Sequence, residues 1–229
     1  MREIVMDTET TGLDPADGHR IVEIGAIELI NHLPTGRVYH QYINPERSMP
    51  KEAFDVHGLG DDFLRDKPRF EQILEDFLSF IGTDGQLVIH NAAFDMKMIN
   101  AEMEWAGRSP LPMARATDTL LIARQKFPGA QASLDALCRR FNIDNSAREK
   151  HGALLDSELL AEVYLELLGG RQQGLTLETA SAQPTSGPAL SGHAEPRPKP
   201  LPSRLTQAEK DAHAQMLGEM KDPLWLQSP

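Results

Sequence analysis

Asp7-Thr-Glu9-Thr-Thr-Gly12 follows directly on the apolar run Ile4-Val5-Met6. Alternate side chains of a strand share a face, so Asp7 and Glu9 project together from the end of that run. Two carboxylates this close repel by roughly 4 kcal/mol at ~4 Å and an effective dielectric of ~20. A fold carries such a pair when a cation lies between them or when one of them keeps its proton. Both states point to chemistry.

Working outward, strands are expected over about 3–9, 20–30 and 37–43, the first two joined by a link holding Gly12, Pro15 and Gly18. Phe70, Ile73, Leu74, Phe77, Leu78 and Ile81 keep the spacing of one buried helical face, which predicts a helix over 70–81. Leu87-Val88-Ile89 suits a central strand covered on both faces. A helix over about 92–106 follows, with Asn91 placed to cap it. A fifth strand is expected at 114–118 and helices at about 119–127, 133–141 and 154–168, the last stopping at Gly169-Gly170. Three strands in succession, then alternating helices and strands, describe a mixed α/β sheet flanked by helices.

Composition changes after Gly170. Pro184, Pro188, Pro196, Pro198, Pro200 and Pro202 stand among Ser, Thr and Gly, so 171–204 is expected to be a disordered or extended linker. Order is expected to return at Thr206-Gln-Ala-Glu209, which has capping-box spacing, with Ala212, Met216 and Met220 every fourth residue and Pro223 as the stop. A short helix with Trp225 behind it has little of its own to pack on, and a partner is the simplest explanation.

The 229 residues carry a net charge of −11. Arg171, Arg197, Lys199, Arg204, Lys210 and Lys221 balance Glu178, Glu195, Glu209, Asp211, Glu219 and Asp222, so the whole excess lies in 1–170. An acidic domain does not hold long duplex DNA by general electrostatics. Nucleic acid would have to be gripped at a short end through metal ions, or be delivered by a partner. A single cysteine, Cys138, excludes an intramolecular disulfide and a thiolate zinc site, and its helical stripe with Leu134, Leu137 and Phe141 marks it as a small core residue. No apolar run reaches the ~20 residues of a membrane span, and the N-terminus lacks a charged-then-apolar leader. A soluble, cytoplasmic protein without a membrane partner is expected.

Two further clusters join Asp7 and Glu9. His90-Asn91-Ala-Ala-Phe94-Asp95 puts an acid in the first turn of a helix right after the central strand, where open α/β sheets gather ligands. His151-Gly-Ala-Leu-Leu-Asp156 puts a second acid at a helix start with an imidazole on the loop before it. His90 reads as a strand-end structural residue; His19, His32, His40, His193 and His213 read as solvated surface.

Asp7-x-Glu9, Asp95 and His151-x4-Asp156, in that order, resemble the ribonuclease H-like, DEDD-type 3′→5′ exonucleases, in the branch that adds a histidine to four acids. The similarity is closer still to the proofreading subunits of bacterial replicative DNA polymerases. Val56-His57-Gly58 and Ser133-Leu-Asp-Ala-Leu-Cys138 extend it, and it covers 1 to about 170 closely and the extreme C-terminus loosely. The resemblance implies a five-stranded ribonuclease H-like exonuclease domain over 1–170. It implies that Asp7, Glu9, Asp95 and Asp156 hold two divalent ions, a set whose oxygen ligands favour Mg²⁺ or Mn²⁺, with His151 as general base. It places substrate contacts at Asp7, Glu9, Glu52, His57 and Asp156, with Glu9, Glu52 and His57 near the terminal sugar. Glu52 and His57 are expected on a loop between the third strand and the first long helix. The substrate implied is a DNA 3′ end, single-stranded or frayed. Within the linker, Gln172, Leu175 and Leu177 are similar to a sliding-clamp peptide at 172–177, with Leu where Phe is often preferred. Residues 205–229 look like the tail that binds the polymerase catalytic subunit.

Two other readings use the same residues. An RNA-trimming 3′ exonuclease shares all five site positions, but has no need of the Pro-rich linker and Trp-bearing tail. A non-catalytic adaptor bridging polymerase and clamp gives no reason to keep four mutually repelling acids. A nucleotide phosphohydrolase would more naturally carry a phosphate-cradling Gly-rich loop, and none is present.

Overall fold

Alternation along the first strand sets the layers of this molecule. The computed structural model describes residues 1–146, 148, 150–170 and 205–220. In chain order the elements are β1 (Arg2–Thr10), β2 (Ile21–Ile30), β3 (Leu33–Tyr42), α1 (Lys51–His57), α2 (Asp61–Leu64), α3 (Phe70–Ile81), β4 (Gln86–Ile89), α4 (Ala92–Trp105), β5 (Ala116–Asp118), α5 (Thr119–Lys126), α6 (Leu134–Phe141), α7 (Ala153–Leu167) and α8 (Gln207–Glu219). Short 3-10 turns lie at Pro15–Asp17 and Met113–Arg115. The strands form one mixed sheet in the order β3-β2-β1-β4-β5, with β1 antiparallel to β2 and parallel to β4.

Ile4 and Met6 of β1 pack with Phe77 of α3 and with Met96 and Ile99 of α4, whereas Val5 packs with Leu160, Ala161 and Tyr164 of α7. The two faces of the sheet are therefore covered by different helices. Odd positions of β1 continue the α7 face, so Asp7 and Glu9 face the layer that carries Asp156. Thr8, an even position, turns to the α4 side, where its hydroxyl donates to Asp95 Oδ1 at 2.7 Å.

Close approach of α7 depends on Gly25, the β2 partner of Asp7. A Cβ at Gly25 would lie 2.3 Å from the Ala153 carbonyl group and the Leu154 nitrogen, all backbone. The Ser157 hydroxyl donates to the Gly25 carbonyl at 3.0 Å and pins the same turn from the other side. The bare backbone at Gly25 thus lets the first turn of α7, with Asp156, lie on the sheet.

The long helices fall where apolar periodicity places them, and Cys138 is wholly buried with Leu137. Several local expectations need correction. The third strand begins at Leu33, because Asn31 and His32, both at positive φ (51° and 66°), make a two-residue hairpin turn. Glu52 and His57 are not on a loop but on α1, seven residues long. Pro50 before it and Gly58 at φ 77° after it bracket that helix. Asn91 takes the cap position of α4 without a side-chain cap bond, because its backbone is left-handed (φ 68°). Its amide instead donates to Asp118 Oδ1 at 3.1 Å.

The second unit of the chain is represented by α8, which starts from the expected capping box: Glu209 N–H donates to Thr206 Oγ1, and Thr206 N–H to Glu209 Oε2. It ends at Glu219, ahead of Pro223. Gly218 in its last turn weakens continuation. Residues 171–204, expected to be a linker and holding Gln172, Leu175 and Leu177, and the end from Lys221 to Pro229 lie outside the described residues. Among the described helices, none is long and apolar enough to cross a membrane.

Gly25→Ala is expected to lower stability by about 1–3 kcal/mol, the range for overpacking a rigid contact, and, by displacing Asp156, to lower whatever activity the strand-end acids carry. Chemical denaturation with a parallel activity assay checks it; an unchanged midpoint with full activity contradicts the packing described.

Candidate active site

Four carboxyls and a histidine drawn from three segments line one cleft. Asp7 and Glu9 come from the end of β1, Asp95 from the first turn of α4, and Asp156 from the first turn of α7. All four, with His151 and Arg148, line a cavity of about 570 Å³. Ligand atoms of Glu9, His151 and Asp156 lie within 4.8 Å of one another. Like charges at such spacing repel by about 3 kcal/mol at an effective dielectric of about 20.

The protonation equilibria record this crowding. Burial and the charges of Asp95, Glu9 and Asp156 hold the Asp7 carboxyl well above its ordinary value. Burial, with Asp156, Glu23 and Asp95 around it, pushes Glu9 up to about 8. Asp95 is also raised, by burial, even though Thr8 donates to it. Asp156 goes the other way: burial works to raise its pKa, but the His151 and Arg148 side chains beside it outweigh burial and hold the carboxyl below its ordinary value. Three of the four acids are therefore short of positive charge, and the fourth is supplied with it by Arg148.

His151 sits on the loop before α7 and keeps 48% of its side chain exposed. Its backbone N–H donates to the Val56 carbonyl at 3.3 Å, tying this loop to α1. A second cavity, of about 590 Å³, adjoins the first through Thr8, Glu9 and Phe94, and Glu52 and His57 line it. Glu52 is exposed on α1 and reaches only this second cavity. His57 is buried; its Nδ1 accepts from Leu59 N–H at 3.0 Å, while its Nε2 makes no hydrogen bond. Burial holds this imidazole below the usual histidine range, so it is neutral near pH 7. A buried, neutral imidazole in a cavity wall suits a ligand hydroxyl.

Several contributors carry no sequence signal of their own. Arg148 lies three residues before His151 in an ordinary charged segment. Thr8 is hidden between Asp7 and Glu9, and the acid it supports is the distant Asp95. Asp118 accepts from the amides of both Asn91 and Leu120 and so anchors the starts of α4 and α5. Glu23, opposite Glu9 on β2, is held by His40 Nε2 at 2.7 Å. His40 is thus not a solvated residue, and neither is His32, whose Nδ1 lies 2.8 Å from buried Glu3. His19, expected on the solvated surface, bonds Thr11 at 3.1 Å in the second cavity's wall. His90 bonds Thr119 at 2.9 Å, in keeping with a structural role, and His213 is exposed on α8. His193 lies outside the described residues.

The donor set fits hard divalent cations: carboxylate oxygens dominate, and a positive charge is what Asp7, Glu9 and Asp95 lack. Mixed sheet, flanking helices and strand-end carboxylates are the fold and site that the resemblance to ribonuclease H-like exonucleases implies. A family model described as Exonuclease matches residues 4–164. DNA polymerase III subunit epsilon of Rickettsia conorii is 56% identical over 185 residues, covering 80% of this chain and 80% of that protein. Its Escherichia coli counterpart is 48% identical over 178 residues, 74% of this chain and 72% of that one. Among solved structures, the nuclease domain of 3′hExo, described as a DEDDh family member bound to rAMP, aligns with a TM-score of 0.64 at 21% identity. The alignment covers 73% of this chain and 91% of that one, and at that identity it speaks for the fold. The chain belongs to the exonuclease family of DNA polymerase III epsilon subunits, which are 3′→5′ proofreading nucleases using divalent metals.

In chelator, the melting temperature is expected to fall as pH rises from about 4.5 to about 8. Folded Glu9 keeps its proton up to about 8, whereas the unfolded side chain loses it near 4.5. Within that window the folded state binds more protons, so stability declines with pH. Asp7 and Asp95 act in the same direction. Saturating Mg²⁺ should flatten the profile. Thermal melts at stepped pH with and without Mg²⁺ check this, and a chelator profile that rises over the window contradicts it.

Proposed function

We propose that Asp7, Glu9, Asp95 and Asp156 hold two divalent ions, Mg²⁺ or Mn²⁺, and that His151 is the general base for removing 3′-terminal nucleotides from DNA. The observation that carries this reading is the convergence of the four carboxyls and His151 on one cleft, with three carboxyls starved of positive charge. When bound, the ions supply Lewis acidity that activates a water and stabilises the entering and leaving oxygens at phosphorus. His151 takes the proton of that water, a task suited to an imidazole at neutral pH. The water oxygen bonds to phosphorus as the P–O3′ bond breaks, the departing O3′ takes a proton from solvent so that the shortened strand leaves with a 3′ hydroxyl, and a nucleoside 5′-monophosphate departs. Glu9, Glu52 and His57 contact the terminal sugar in the second cavity, with Asp7 and Asp156 at the phosphate side.

A paired terminus must fray before its base enters, so single-stranded and mispaired ends are cut faster than matched ones. An acidic domain meets DNA through its cations and its end rather than through a basic track. DNA is favoured over RNA by the epsilon-subunit relatives. The exonuclease domain comprises 1–170, and 171–204 is a linker. Residues 205–229 bind the polymerase catalytic subunit, a role supported by α8, which is capped and has no buried side chain. Gln172, Leu175 and Leu177 bind the sliding clamp. A replicative role places the protein in the cytoplasm.

The full chain with Mg²⁺ or Mn²⁺ is expected to shorten 3′-labelled single-stranded DNA, and Asp7→Ala with Glu9→Ala to lower the rate by at least about a thousandfold, the scale of losing electrostatic stabilisation at the reacting centre. A double variant that digests DNA at the parental rate would sink the site. Deleting residues 205–229 is expected to abolish co-elution with the polymerase catalytic subunit while activity on free oligonucleotides persists. Retained co-elution refutes the role of the tail.

A further inference from the structure

Arg148 is the most heavily engaged cation of the cleft. Its Nε and Nη2 donate to both oxygens of Asp156, at 2.5 and 2.7 Å. Nη1 donates to Asp135 Oδ1 at 2.7 Å, and Nη2 also lies 2.8 Å from His151 Nδ1. The side chain is 7% exposed and Asp156 4%. One guanidinium therefore occupies both oxygens of one proposed metal ligand and one nitrogen of the proposed base.

A guanidinium only donates, so His151 Nδ1 accepts in this arrangement and the proton of the neutral ring sits on Nε2. Such a ring has no free lone pair for the proton of a water. Asp156 accepts from the guanidinium fork at both oxygens; each keeps a second lone pair, but a cation approaching either one meets the positive charge of Arg148. The arrangement is orderly but closed: it aims both groups into the cleft and withholds both from the reaction.

We propose that Arg148 is a positioning residue of the exonuclease site, an internal counter-cation that holds Asp156 and His151 in place and hands Asp156 over when divalent ions arrive. The proposal rests on the metal-dependent reading of the cleft. Asp135, in the first turn of α6, supplies the place to which the guanidinium stays tethered once Asp156 is released. The guanidinium and the ions compete for the same oxygens, so the apparent metal affinity is the intrinsic one reduced by the fraction of molecules with Arg148 disengaged.

Titration calorimetry of the full chain with Mn²⁺ tests this. A latch closed in about nine molecules of ten predicts about tenfold tighter Mn²⁺ binding by Arg148→Gln. Arg124→Gln removes the same charge from the wall of the same cavity and should change affinity by no more than about twofold, because a solvated charge is screened. Equal or weaker binding by Arg148→Gln overturns the proposal, as does an equal gain in Arg124→Gln. Absence of Mn²⁺ binding by the wild type overturns the metal reading itself. Imidazole ¹⁵N spectra of the wild type need no variant. His151 is expected to leave the Nε2–H tautomer when Mg²⁺ is added, and persistence of that tautomer at saturation overturns the latch.

Discussion

The first turn of α7 lies against bare backbone at Gly25, and the geometry of the cleft depends on that contact. Gly25 is the β2 neighbour of Asp7, so the place where a side chain is missing adjoins the place where a carboxyl is required. Ser157 binds the same carbonyl and fixes the turn, which brings Asp156 over the odd-numbered face of β1. Asp95 reaches the strand end from the opposite layer and is held there by Thr8. Four acids thus meet because two helix starts approach one strand end from both sides of a sheet.

Meeting has an electrostatic cost, and the protein leaves most of it uncompensated. Backbone packing forces the carboxyls together while burial removes the water that would shield them. Protons are kept where no cation is at hand, as the raised Asp7, Glu9 and Asp95 record. Among the described residues, Asp156 is the one of the four acids paired with an arginine, Arg148. A cleft in this state attracts divalent ions strongly, and the excess negative charge of 1–170 strengthens that pull while discouraging nonspecific contact with the DNA backbone.

The adjoining cavity is built by a different set of contacts. α1 brings Glu52 and His57 to it, and the chain before α7 is tied to α1 by the bond from His151 to the Val56 carbonyl. Lys150 adds contacts with the Phe54 and Asp55 carbonyls. Glu9 and Phe94 stand in both walls. The residues proposed to recognise the terminal sugar and the residues proposed to cut the chain are therefore one mechanical unit.

Much of this was legible in the sequence, for reasons that are local. The run Ile4–Met6 before Asp7-x-Glu9 determines a buried strand ending in two carboxyls on one face, and the spacing from Phe70 to Ile81 determines a helix with one apolar side. His151-x4-Asp156 determines an imidazole just ahead of a helix that starts with an acid. Each rests on a backbone period that reads across neighbours. Seven-residue α1 escaped because so short a helix shows no apolar stripe, only a proline and a glycine at its ends. Arg148, Gly25 and Thr8 escaped for a deeper reason. Arg148 meets Asp135 and Asp156, Gly25 meets Ala153, and Thr8 meets Asp95, all partners distant in the chain. Residue types and periods alone determined which groups stand at the ends of strands and helices. Only the tertiary structure decided which of those ends share a cleft, because that depends on contacts between faces that no local period encodes.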